Sequence, residues 1–155
     1  MLDLDLLNQL RGVFGSLEAE LTLRVHPSTH EKQSEMVELA TELASTSPKL
    51  RYELAGDAVD TVLLEIFKDG AATGIRFAGV PGGHEFTSLV LAVLNTDGKG
   101  KLPDAGLRAR VRSLRGPAAL RTFISLSCTN CPDVVQALNL IALDHPGISH
   151  EMIDG

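Results

Sequence analysis

The sequence predicts an α/β fold, and three patterns carry that prediction. Helical and strand-like patterns alternate along most of the 155 residues. An apolar, strand-like run over residues 120–126 leads into Cys128 and Cys131, the only two cysteines, and a helical pattern over residues 132–143 follows them. A strand–helix–strand pattern over residues 118–154 repeats one found near the start of the chain. Alternation of this kind is typical of a sheet covered by helices.

The elements of the first half follow from the spacing of their apolar residues. Apolar positions three and four apart predict helices, and alternating positions predict strands. The predicted order is a helix over 2–15, a strand over 19–25, a helix over 30–43, strands over 50–54, 61–67 and 74–78, and a helix over 83–94. A turn at Lys68-Asp69-Gly70 joins the last two strands as a hairpin. After its leading helix, this is the order of a thioredoxin-like fold.

The repeat divides the chain into two unequal units. Residues 1–97 form a first thioredoxin-like fold that lacks cysteines, and residues 98–117 form a linker with a helix over 103–115. Residues 118–155 form the β-α-β half of a second such fold, which carries the C-x-x-C. When the two units are aligned, Pro27 lies opposite Cys128. The first unit therefore keeps the outline of a redox site without its sulfur atoms.

The second unit lacks the β-β-α half that would complete it. Without that half, the strand over residues 120–126 loses a neighbour and has an unpaired edge. We expect that the chain is a piece of a longer protein, or that a second chain supplies the missing pairing. In either case we expect self-association through the incomplete second fold.

The two cysteines are the candidate catalytic residues. A C-x-x-C between a strand and a helix is typical of thioredoxin-like redox motifs. Unpaired N–H groups at the start of the helix favour a thiolate, which is the attacking form in disulfide exchange. Cys128 is then the nucleophile and Cys131 the resolving thiol. Two alternatives remain open: half of a Cys₄ zinc site completed by a second chain, and a structural pair without chemistry.

Composition excludes several classes of partner. The net charge is −6, which argues against nucleic acid, and the four arginines between residues 108 and 115 are expected to form a solvated face. No apolar run reaches the ~20 residues that span a bilayer, so no membrane partner is expected. The acidic start of the chain lacks the positive region of a signal peptide, and we expect a cytoplasmic protein. In that compartment a lone cysteine pair is typically catalytic.

The five histidines do not form a metal site by their spacing. His26 and His30 are separated by a Pro-Ser-Thr break, and no third ligand stands at zinc spacing. His84 precedes a predicted helix. His145 and His150 are expected to be exposed, in a loop and in a strand.

Two long segments resemble a known family. Residues 74–90 and residues 125–140, which contains the C-x-x-C, are similar to signature segments of the N-terminal domain of the alkyl hydroperoxide reductase flavoprotein subunit. The resemblance covers essentially the whole chain and implies two fused thioredoxin-like folds, of which only the second has a C-x-x-C. One position departs from the pattern, because Thr129 stands where the family usually has His.

The resemblance implies a relay of electrons. They pass from NADH through FAD to a disulfide in a flavoprotein reductase domain, then to this C-x-x-C, and then to a partner peroxiredoxin. It implies no cofactor within these residues, since FAD and NADH belong to the reductase portion. It also places Glu85 near the disulfide as an acid–base group, whereas position alone suggests a charge favoured at a helix start. The alternative function is a non-catalytic docking fragment of the same system.

Overall fold

The computed structural model describes residues 2–155 as one mixed α/β sheet structure. A 3₁₀ turn at Gly83–Glu85 precedes the third helix. The elements in order are α1 (Leu4–Phe14), β1 (Leu21–Val25), α2 (Gln33–Ala44), β2 (Leu50–Leu54), β3 (Leu64–Lys68), β4 (Ala71–Ala78), α3 (Phe86–Thr96), α4 (Ala105–Arg112), β5 (Ala118–Ile124), α5 (Cys131–Asp144) and β6 (Ile148–Asp154). The predicted α/β class and the order of its elements are confirmed.

All six strands form a single sheet in the order β2-β1-β3-β4-β6-β5. The pairs β1–β2, β4–β6 and β5–β6 are parallel, and β3 is antiparallel to both β1 and β4. The β4–β6 pair joins the strands of the two predicted units into one sheet. The division at residues 97 and 117 stays a prediction. At the far edge of the sheet, β5 pairs on one side with β6 and has no strand on its other side.

Alternation along the strands sends one apolar face of the sheet towards the helices. Leu23 lies opposite Ile66, and Phe77 lies opposite Met152, and all four are fully buried. Helix α2 packs on β1 and β2, whereas α5 packs on β4, β5 and β6. Burial of each large apolar side chain contributes roughly 1.5–3 kcal/mol. This core holds the start of α5, and with it the cysteines, against the sheet.

The opposite face carries one row of charges that alternates in sign across all six strands. In the order of the sheet the row is Glu53, Arg24, Glu65, Arg76, Glu151 and Arg121. Arg76 lies 3.3 Å from Glu65 and 3.4 Å from Glu151, and Arg24 pairs with Glu53. Exposed pairs contribute little each, but a one-residue slip would break the row. The row therefore favours the observed register.

The hairpin turn is shorter than predicted. Asp69 and Gly70 have φ values of 50° and 85°, and they form a two-residue connection between β3 and β4. Turns with two positive φ values match the twist of the strands they join. Strand β4 consequently begins at Ala71, directly after the turn, and not at residue 74.

Both histidines that were expected to be exposed are buried. His145 is 8% exposed, and its ring contacts the Leu114 carbonyl at 2.7 Å and accepts from the Gly147 N–H at 2.9 Å. His150 is 0% exposed, because the alternation of β6 places residues 148, 150 and 152 on the helix side. The prediction was wrong because it did not apply the strand period to these positions.

The arginines of α4 are also not all solvated. Arg108 donates to both carboxylate oxygens of Asp144 at 2.9–3.1 Å, and the Asp144 side chain is only 3% exposed. A bidentate pair of this kind fixes geometry as well as charge. Arg108 therefore attaches α4 to the end of α5, which the pattern of basic residues did not indicate.

Candidate active site

The two cysteines form a disulfide at the start of α5. Cys128 and Cys131 are bonded with their Cα atoms 5.6 Å apart, and Cys131 is the first residue of the helix. Both residues are half-buried. The apolar strand β5 leads into the loop before them, and Pro132 lies in the first turn of α5, where proline favours helix entry. The predicted placement of the C-x-x-C at a helix start is confirmed.

The backbone at this helix end is directed at one sulfur atom. The Cys131 N–H donates to Cys128 Sγ at 3.2 Å, and the cap residue Asn130 supplies no side-chain cap. The sulfur thus occupies a place that a capping oxygen usually takes at a helix start. When the disulfide is reduced, this N–H and the helix dipole favour a thiolate at Cys128 over one at Cys131.

A glycine-rich turn packs against the loop before Cys128. The His84 N–H donates to the Leu126 carbonyl at 3.4 Å. Gly83 has a φ of 52°, and a Cβ atom there would lie 2.9 Å from the same carbonyl oxygen. Only glycine fits such a close approach in this conformation. The turn brings Gly83–Glu85 against the segment that leads to the cysteines, and it also contacts α5.

Glu85 is fully buried at the end of this turn. Its Oε1 accepts a hydrogen bond from the Ser88 hydroxyl at 2.7 Å, whereas its Oε2 is buried with no hydrogen-bond partner. Burial raises the pKa of Glu85, although the Ser88 hydrogen bond and the charge of His84 act to lower that pKa. A buried carboxyl of this kind takes up and releases a proton closer to neutral pH than an exposed one does.

A second polar contact connects Glu85 to α5. The Gln136 side-chain amide donates to the Ser88 hydroxyl at 3.3 Å, and Ser88 itself is fully buried. Gln136 belongs to the same helix as Cys131. The carboxyl of Glu85 and the helix of the cysteines are therefore joined through one hydroxyl.

A buried histidine lies between β5, β6 and α5. One ring nitrogen of His150 lies 2.8 Å from Thr122 Oγ1, and the other lies 2.7 Å from Asn139 Oδ1. A neutral ring satisfies both contacts, because one nitrogen donates to the amide oxygen while the other accepts from the hydroxyl. Burial lowers the pKa of His150 from 6.5 to about 4.

This histidine should make the fold sensitive to acid. The pKa in the fold lies below that of the unfolded chain, so the stabilisation is complete above about pH 6.5 and is lost as the pH falls towards 4. We expect the free energy of unfolding to fall by about 3 kcal/mol over that window. Denaturant unfolding at a series of pH values measures this, with His150→Gln reducing the slope and His30→Gln keeping it. An NMR titration of the native ring that has its midpoint near pH 6.5 would contradict the expectation.

Comparisons with known proteins place the chain once this geometry is considered. No family model matches it. It is 40% identical over 155 residues, all of this chain, to the alkyl hydroperoxide reductase flavoprotein AhpF of Staphylococcus aureus strain Mu50, and spans 30% of that relative. It is also 40% identical over 148 residues, 96% of this chain, to a protein named NADH dehydrogenase from Ferdinandcohnia aciditolerans, of which it spans 28%. The chain thus spans about 30% of the length of the first of these curated relatives.

A solved structure decides the family. The crystal structure of the NTD_N/C domain of alkylhydroperoxide reductase AhpF from Enterococcus faecalis V583 matches with a TM-score of 0.88 and 32% identity, covering 99% of this chain and 80% of that one. The chain belongs to the AhpF N-terminal domain family.

More distant structures have the same AhpF-like arrangement of elements. A protein disulfide oxidoreductase from Aeropyrum pernix K1 matches with a TM-score of 0.78 at 18% identity, covering 97% of this chain and 76% of that one. At that identity the match describes the fold alone. The fold of this AhpF family member is thioredoxin-like, as its pattern of strands and helices predicts.

Two groups of residues around the AhpF-like site escaped prediction from sequence. Ser88 and Gln136 contact Glu85 or its partner, and Thr122 and Asn139 contact His150. One signal was available for Ser88, since it follows Glu85 by three positions at a helix start, where side chains three apart face each other. The other contacts join elements distant in sequence and leave no local pattern.

Two further features bear on the alternatives for this AhpF family member. Within residues 2–155, His, Cys, Asp and Glu side chains do not gather into any group of three or more that would hold a metal ion. Across the same residues, every helix is too short or too polar to cross a bilayer.

Proposed function

We propose that this chain is a thiol–disulfide oxidoreductase domain that relays electrons from a flavin- and NADH-dependent disulfide reductase to a peroxiredoxin. The observation that carries the proposal is the Cys128–Cys131 disulfide at the start of α5, with the Cys131 N–H directed at Cys128 Sγ. Membership of the AhpF family supports the identity of the donor and of the acceptor. A catalytic cysteine pair also suits the reducing conditions of the cytosol, where we place the protein.

Exchange proceeds in two displacements that balance sulfur, electrons and protons. The Cys128 thiolate attacks one sulfur of the partner disulfide, which forms a mixed disulfide and releases a partner thiolate. Cys131 then loses its proton and attacks Cys128 Sγ, so that the intramolecular disulfide forms and the second partner thiolate leaves. The two protons of the original thiols end on the partner, which has gained two electrons.

Glu85 serves in this proposal as the proton carrier. Its buried Oε2, which has no hydrogen-bond partner, takes the proton of a thiol as that thiol attacks and returns it to a leaving thiolate. A carboxyl whose pKa is raised by burial is suited to both steps.

The alternative proposal is a docking fragment without exchange chemistry. The edge of β5 favours it, because β5 has no strand on its outer side and Phe123 on this strand is 71% exposed. An open strand edge is a template for pairing with another chain. Docking and exchange differ in whether the thiols are reversibly oxidised.

One experiment distinguishes these functions from a zinc-linked dimer. The protein is equilibrated in redox buffers of known potential, its thiols are counted, and its metal content is measured. A reversible two-electron couple at about −180 to −270 mV supports the relay. Thiols that do not respond to the buffer leave the docking fragment, and stoichiometric zinc leaves the metal-linked dimer.

The same strand edge leads us to expect self-association. We propose that two copies pair through β5, because the open edge and the exposed Phe123 are both on that strand. Sedimentation at increasing concentration should give a dimer or larger species, and Phe123→Lys should shift the population towards monomer. Leu4→Lys is the matched control, since Leu4 is 67% exposed on α1. A well-folded monomer at all concentrations would contradict this proposal.

A further inference from the structure

The hydroxyl of Ser88 is shared between two groups. Its single proton is donated to Glu85 Oε1 at 2.7 Å, and its oxygen accepts from Gln136 Nε2 at 3.3 Å. Both Ser88 and Glu85 are 0% exposed, so no bulk water competes with these contacts. A hydrogen bond in a dry site is stronger than in water, and successive bonds polarise one another. The chain Gln136–Ser88–Glu85 therefore runs in one direction, from donor to carboxylate.

This chain treats the two carboxylate oxygens differently. Oε1 is held by Ser88, while Oε2 has no hydrogen-bond partner. If both oxygens were equally free, the carboxyl could rotate and present either one. We propose that Ser88 and Gln136 are positioning residues that hold Oε1 and leave Oε2 as the atom that carries the exchanging proton. The proposal rests on the role of Glu85 given above, but it concerns residues that neither spacing nor family resemblance indicates.

Few charged groups surround this carboxyl. On its own turn the charged neighbour is His84, which is exposed. Helix α3, which follows Glu85, has no charged residue, and α5 contributes Cys131 and the exposed Asp133 in its first turn. The Ser88 hydroxyl is therefore the principal neutral group that stabilises the ionised form of Glu85.

Removal of that hydroxyl tests the proposal directly. In Ser88→Ala, we expect the midpoint for titration of Glu85 to move up by about one pH unit or more, because a hydrogen bond to the ionised form is lost. Carbon-13 NMR of the Glu85 carboxyl in the reduced protein reads that midpoint without any assay of exchange. The pH profile of exchange with a small aromatic disulfide should move in the same direction. Thr87→Ala is the matched control, since Thr87 is exposed next to Ser88.

The role of Gln136 is tested by a double-mutant cycle. Gln136→Leu should move the Glu85 midpoint up by less than Ser88→Ala does, because Gln136 acts only through the hydroxyl. The double variant Ser88→Ala/Gln136→Leu should then match Ser88→Ala alone. If the two shifts add, Gln136 acts on Glu85 by another route and the proposed chain is wrong.

The outcomes separate this inference from the role of Glu85. If Glu85→Gln slows exchange but Ser88→Ala leaves the NMR midpoint and the pH profile unchanged, the positioning role is wrong and the proton carrier stands. If Glu85→Gln leaves exchange unchanged while Ser88→Ala moves the NMR midpoint, Ser88 tunes a carboxyl that does not take part in exchange. A shift of the NMR midpoint and of the pH profile in Ser88→Ala, with no shift in Thr87→Ala, supports the proposal.

Discussion

Cys128→Ser is expected to abolish disulfide exchange with a partner protein. A serine hydroxyl is not a nucleophile towards disulfides, and no other cysteine is present to replace Cys128. Single-turnover measurements of reduced protein with an oxidised partner should give no transfer above the rate without protein. Ser127→Ala is the matched control, because it changes the neighbouring hydroxyl without removing sulfur.

Cys131→Ser should give a different defect. Attack by Cys128 remains possible, since its sulfur keeps the N–H of residue 131 as donor, but no thiol remains to resolve the product. We expect a mixed disulfide with the partner to accumulate, visible by non-reducing electrophoresis and by mass spectrometry. Normal electron transfer by Cys131→Ser would show that the assigned roles of the two cysteines are wrong.

Glu85→Gln is expected to slow exchange by about 10²-fold, the lower end of what general acid–base groups contribute. The variant keeps the size of the side chain and an oxygen for the Ser88 hydroxyl, but it has no carboxyl to carry a proton. The rate should also lose the dependence on pH that Glu85 imposes. Stopped-flow exchange across a pH series measures both effects, with Glu31→Gln on the exposed surface as control.

The same substitution should stabilise the fold at neutral pH. The pKa of Glu85 is raised in the fold, so the folded protein holds the proton more tightly than the unfolded chain does. The stability that this group provides is therefore lost as pH rises through its folded pKa. Denaturant unfolding at pH 7 should show Glu85→Gln to be more stable by about 1 kcal/mol. Equal exchange rates at every pH for Glu85→Gln and the unmodified protein would remove Glu85 from the mechanism.

Much of the fold followed from local patterns. Strand β2 occupies the residues that its alternation predicts, and α5 begins within one residue of the predicted start. These elements are set by short-range periodicity, capping and proline, which a single sequence displays. The open edge of β5 followed as well, because a β-α-β pattern without a further strand leaves one side of its first strand unpaired.

Contacts between distant elements did not follow from local patterns. Neither the β4–β6 pairing nor the attachment of Arg108 to Asp144 has a local signal. The burial of His150 was partly available from strand alternation, but its partners Thr122 and Asn139 come from two other elements. Sequence patterns describe which face of an element is apolar, and they do not describe which polar groups meet beneath it.

The sequence by itself determined the chemistry of the sulfur atoms, because a C-x-x-C at a helix start acts through bonds and dipoles that lie within a few residues. Only the tertiary structure decided the state of Glu85. The proton affinity of a carboxyl depends on the water it loses and on the donors it meets, and both are set here by α5, β5 and the turn packing together.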